Sequence, residues 1–123
     1  MEHRAVTVTF PATPEYLRLA RIATADAASR SGLDYEEIDD VRIAVSELCG
    51  LLSVDAAASI TLAFIVEPGV LSVTGEAVTG PSEITGDELS RAIIGAVVDE
   101  HTLATESGTT RFRVTKRARA GAS

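Results

Sequence analysis

The chain has little with which to staple itself, hold a metal or cross a membrane. Its single cysteine, Cys49, cannot close an intrachain disulfide and cannot build a metal site alone. The two histidines, His3 and His101, lie far apart with no ligand-spaced partner, so no metal site is expected. Aromatic residues are scarce: Phe10, Phe64, Phe112, Tyr16 and Tyr35 are the full set, so the core has to be aliphatic. No apolar run approaches the roughly 20 residues of a membrane-spanning helix. The opening MEHRAVTVTF has no long apolar stretch after its charges, which speaks against a secretory leader. These absences fit a reducing, cytoplasmic setting.

What is present is a 123-residue chain, enough for one domain with a real core and too little for two. The net charge of −7 would repel phosphates, which argues against free nucleic acid as the main partner. Acid clusters at Asp34, Glu36, Glu37, Asp39 and Asp40, while Arg111, Arg113, Lys116, Arg117 and Arg119 crowd the C-terminus. An acidic protein of this size suits a basic protein partner. The acidic run is most simply a solvated helix start, favoured by the helix dipole.

Hydrophobic periodicity sets out the elements. Val6, Val8 and Phe10 alternate with threonines over 5–10, the period of a half-buried strand. Thr13 and Pro14 can open a helix over about 15–31, whose stripe reads Tyr16, Leu19, Ala20, Ala23 and Ala27, with Gly32 to end it. Asp34 and Glu37 have the spacing of a capping box for a second helix. Its buried face is predicted at Ile38, Val41, Ala44, Val45, Leu48 and Leu52. Strands are predicted at 59–66 and 70–74 around a Pro68-Gly69 turn, a loop at 75–86 and a third helix at 87–99. Two more strands, 101–105 and 109–115, flank Ser107-Gly108, with Phe112 and Val114 facing inward. The fold class is an α+β two-layer sandwich, a mixed and mostly antiparallel sheet with three helices on one face. The domain is expected over 1–116, and 117–123 as a disordered basic tail.

Three stretches, FPATPEYLRLAR at 10–21, DDVRIAVSELC at 39–49 and SGTTRFRVTKR at 107–117, resemble the anti-sigma serine kinases of bacterial sporulation and stress regulation. The resemblance is tightest to the actinobacterial branch, where the middle helix also reads Arg-x-Ala-Val-x-Glu-x-Cys. It implies the ATPase fold of histidine kinases and gyrase, a homodimeric habit, a sigma-factor partner and an anti-anti-sigma (STAS-domain) antagonist. It further implies that Glu47 stands at the catalytic Glu position, with the metal-ligating Asn position one turn on occupied by Leu51. The adenine-reading Asp and two glycines of the family fall on Gly75, Ala77 and Thr79. The second Gly-x-Gly falls on Glu88-Leu89-Ser90, and the lid is cut to a few residues around Pro81. Gly108, Thr109 and Thr110 keep the family's closing turn.

From those departures the expectation is a protein that is not an enzyme and uses no Mg-ATP, with Glu47 a relict. It would sequester a sigma factor and be released by its antagonist. The rival expectations are an active serine kinase with Glu47 as base, and a small-molecule sensor using the emptied cleft. Partner contact is expected at Arg21, whose guanidinium can make paired bonds to a carboxylate. Leu17 stands where some relatives have an acidic contact, and Arg18 and Glu15 are substitutes for it. Against this, Arg21 reads equally as a solvated helix residue, and Leu17 as a widening of the buried face. Cys49 reads as a small core residue, and the arginines of the last strand as edge protection.

Overall fold

The computed structural model describes residues 4–55 and 58–119; His3 and residues 120–123 of the expected tail lie outside that range. The elements in chain order are β1 (Arg4–Pro11), a short 3-10 turn (Pro14–Tyr16), α1 (Leu17–Arg30), α2 (Tyr35–Asp55), β2 (Ser59–Glu67) and β3 (Val70–Val78). After these come α3 (Glu88–Val97), β4 (Glu100–Glu106) and β5 (Thr109–Arg117). The strands lie in the order β1-β2-β3-β5-β4. Every neighbouring pair is antiparallel, so the expected mixed sheet is antiparallel throughout.

Local chemistry explains most of the boundaries. Helix α1 ends at Gly32, which adopts φ 84°; there the Gly32 amide donates to the Ser29 carbonyl and the Leu33 amide to that of Ala28. That pair of bonds is the Schellman arrangement, and it needs a residue without Cβ in the left-handed region. Helix α2 opens on a complete capping box. The Glu37 amide donates to Asp34 Oδ1 and the Asp34 amide to Glu37 Oε1, each at 2.8 Å. Hairpin β4–β5 turns through Ser107 at φ 52° and Gly108 at φ 82°, the doubly left-handed pair that matches strand twist.

The core forms where the helices cover one face of the sheet. Phe10, Ile60, Leu62, Phe64, Leu71, Val73, Phe112 and Val114 point into it from the strands, and Val41, Ala44, Val45, Leu48 and Leu52 from α2. In α1 the buried stripe is Ala20, Thr24, Ala27 and Ala28. Leu19, expected inside, is 45% exposed. In an Ala-rich helix adjacent stripes carry similar hydrophobicity, and close backbone approach to α2 selects the one with the smallest side chains. Thr24 is accommodated there because its hydroxyl donates to the Ala20 carbonyl at 2.7 Å.

Three boundaries differ from expectation. Thr13 makes no side-chain cap, and α1 begins at Leu17, after the 3-10 turn. Strand β3 runs on to Val78, so Gly75 and Ala77 are sheet residues, not loop. The domain does not end at residue 116. Arg117 closes β5, the Ala118 amide donates to the Gly69 carbonyl, and the Arg119 amide donates to Glu37 Oε2 at 2.7 Å. Arg119 also pairs with Glu36 at 2.7 Å, and Lys116 with Asp40 at 3.2 Å. Lys116 and Arg119 are therefore the residues of the basic cluster that meet the acidic one.

Candidate functional site

The residues of α2 left over from its buried face define a groove. Arg42 and Ser46 stack one turn apart, as do Ile43 and Glu47, because positions four apart share a helix face. Across from them, α1 presents Arg21, whose Nε donates to Ser46 Oγ at 3.1 Å. The five side chains line a cavity of about 380 Å³. The sequence-predicted contact residue Arg21 and the catalytic-position Glu47 thus share one groove.

The other predicted contacts fall around it unequally. Arg18 and Glu15 are exposed on or just before α1. Leu17 is half-buried and packs against the core, which favours its structural reading. Sequence reasoning missed Ser46, Arg42 and Ile43, and also Leu19 and Ile22, which is 59% exposed. For Arg42, Ile43 and Ser46 the signal was available as the complement of the buried α2 stripe, whereas the stripe expected on α1 had placed Leu19 inside. Arg42 is steadied by Asp39, three residues back on the same helix.

Cys49, farther along α2, is fully buried, and burial pushes its thiol up to about 12. At neutral pH it is a protonated core residue.

A second constellation gathers at the end of β3. The Thr110 hydroxyl, buried, shares hydrogen bonds with Thr79 at 2.6 Å and Thr105 at 2.7 Å. Gly108 accepts from the amides of Thr79 and Gly80. Gly75 lies within β3, and a Cβ there would run into the Phe112 ring, so this glycine serves core packing. Ala77 is buried, opposite Thr110 on the neighbouring strand. Leu51 lays its side chain against Gly86, where an added Cβ would come within 2.8 Å of Leu51 Cδ1. At the start of α3 the Ser90 amide donates to Asp87 Oδ1 at 2.7 Å, and that bond holds the Asp87 carboxyl below its usual range.

Magnesium-bound ATP is the group this kind of fold implies, and the residues as arranged do not fit it. Leu51 offers no oxygen to a cation. A carboxylate already caps the helix end where phosphates would sit. Thr109 completes the retained Gly-Thr-Thr turn as the first residue of β5.

Residues 10–53 match the family model of the histidine kinase-like ATPase domain. Over 45 residues the chain is 49% identical to the serine-protein kinase RsbW of Listeria monocytogenes, covering 37% of this chain and 29% of that protein. Over 39 residues it is 51% identical to the serine-protein kinase RsbW of Bacillus subtilis, covering 32% of this chain and 24% of that protein. The matched stretches thus span less than a third of either relative. A crystal structure of the RsbU and RsbW domains of Rv1364c from Mycobacterium tuberculosis superposes with a TM-score of 0.71 at 20% identity, covering 94% of this chain and 34% of that one.

The names of these relatives overturn the expectation that the chain is not an enzyme. Proteins sharing about half their residues with it over the matched stretch are serine-protein kinases. Among the described residues, no helix is long and apolar enough to cross a membrane. Residues 10–53 are thus similar to the histidine kinase-like ATPase domain, and over nearly its whole length the chain has the fold seen in the mycobacterial structure.

Proposed function

We propose that this protein is an anti-sigma regulator of the kinase-like class, and that its α1–α2 groove is where protein partners dock. The observation that carries the reading is the shared groove of Arg21 and Glu47. A cation able to fork onto a partner carboxylate stands beside the carboxylate at the family's catalytic position. Ile22, exposed and next to Arg21 on the same helix, and Ile43 in the groove supply apolar contact area beside that charged centre. A sigma factor and an anti-anti-sigma protein would compete for this face, and competition alone is enough to release one for the other. A second copy of the chain as a dimer partner belongs to the same reading.

The test is calorimetric titration with a sigma factor encoded beside the protein. Binding is expected, with Arg21→Ala weakening it by about tenfold, or roughly 1.4 kcal/mol. No heat at any such sigma factor, or unchanged affinity in the variant, removes the proposal.

Phosphate transfer to the antagonist is the second reading, favoured by the names of the relatives and by Glu47 itself. Glu47, half-buried in the groove, is placed to meet a hydroxyl on whatever docks at Arg21. Incubation of an anti-anti-sigma protein with labelled ATP reads it directly: transfer abolished by Glu47→Gln supports it, and transfer that persists in that variant contradicts it.

A further inference from the structure

Helix α3 folds straight back onto β4, with only Val98 and Asp99 between them. On β4, His101 and Leu103 pair with Val114 and Phe112, both buried, so they share the sheet face that the helices cover. On α3, Arg91 and Ile94 lie three apart and share one side of the helix. With Leu48 of α2 these side chains line a cavity of about 200 Å³. It shares no residue with the groove of Arg21 and Glu47. Nor is it lined by Leu51, Gly75, Ala77, Thr79 or the turn at 108–110. Its floor and rim differ in chemistry. Leu48 and Ile94 are buried and Leu103 is half-buried, which makes an aliphatic floor. The rim carries Arg91, His101, Thr85 and Thr102, all exposed. Among the described residues, the side chains of Arg91, His101 and Thr102 make no hydrogen bond or ion pair within the chain. The neighbouring acids are engaged elsewhere. Asp87, whose charge Arg91 feels, accepts from the Ser90 amide, and Glu100 pairs with Arg117 at 2.7 Å. The His101 ring lies beside α3 at Gly95, where an added Cβ would stand 3.7 Å from its Cε1.

We propose that this cavity binds a small organic anion, a carboxylate carried on a short apolar chain. The aliphatic floor takes the chain. The Arg91 guanidinium forks onto the carboxylate, with His101 and Thr102 as further donors beside it. An apolar lining with a few convergent polar groups is the usual composition of a ligand site. The volume is roughly that of seven waters in the liquid, at about 30 Å³ each. That suits a molecule the size of hexanoate and is too small for a nucleotide. The inference rests on the fold and not on the docking reading, so either can fail alone.

Titration of the full chain with sodium hexanoate, followed by amide shifts, tests it. Hexanoate should move the amides of Arg91, Ile94 and residues 101–103, with a dissociation constant of about 1 mM or tighter. Hexan-1-ol, which lacks the charge, and acetate, which lacks the chain, should each bind at least about tenfold more weakly. Arg91→Gln should weaken hexanoate by about tenfold and leave hexan-1-ol unchanged. Arg91 is exposed, so the variant should keep the parent's melting point. The comparison of the three probes on the unaltered chain decides even where the variant does not fold. Hexan-1-ol or acetate binding as tightly as hexanoate would overturn the proposal, as would full hexanoate affinity in Arg91→Gln. Shifts confined to residues 42–47 would overturn it too, by placing the anion in the docking groove. So would the absence of any shift at about 10 mM hexanoate.

Discussion

At the residue scale, three positions show how closely this small core is built. Gly75 sits under the Phe112 ring with no room for a methyl group. Gly75→Ala should therefore destabilise the fold by about 1–3 kcal/mol in denaturant titration, the usual cost of overpacking. Glu37 is a carboxylate only 1% exposed, yet both oxygens are occupied, by the amides of Asp34 and Arg119. Replacing it with alanine leaves two amides without their acceptor, and a loss of about 1–3 kcal/mol is expected. Cys49 carries a pH signature. Its folded pKa, raised by burial from 9.0 to about 12, lies above the unfolded value. Its contribution is thus complete below pH 9 and is lost as pH climbs from 9 towards 12, because the unfolded chain ionises first. Stability measured across that window should fall with a shallower slope in Cys49→Ala, and an identical slope would contradict the assignment.

At the element scale, what could be read from the sequence follows from how strongly each pattern is constrained. The α2 face Val41, Ala44, Val45, Leu48 and Leu52 was legible because apolar side chains recur at three and four with the polar Arg42, Ser46 and Glu47 between them. The α1 face was not, because alanines on neighbouring stripes leave its phase undetermined, and packing distance decides. The far half of β3 was hidden by Gly75, which reads as loop in isolation and is demanded by Phe112 in the sheet. The groove was half legible. Arg21 and Glu47 came from motif resemblance, whereas Ser46 could be placed only once α1 and α2 were known to pack side by side. Within this pair, Ser46→Ala should loosen Arg21 without unfolding the protein, and stability changes within about 0.5 kcal/mol are expected. A larger loss would mean that the contact serves the fold.

At the scale of the whole molecule, charge is arranged in two tiers. Near the chain's end Arg119 meets Asp34, Glu36 and Glu37, Lys116 meets Asp40, and Arg117 meets Glu100. These pairs quiet much of the acidic cluster internally. The groove is different, for the hydrogen bond that Arg21 makes there is to a neutral serine, which leaves its charge open to a visitor. High salt should therefore weaken partner binding through this cation more than it weakens folding. The competing surface is the open face of the sheet, where Arg111 is tied to Glu76. Mapping of amide shifts on addition of the sigma factor proposed as partner separates the two most directly. The account predicts changes centred on Leu19 to Ile22 and Arg42 to Glu47. Changes confined to β4 and β5, with those two stretches silent, would contradict it.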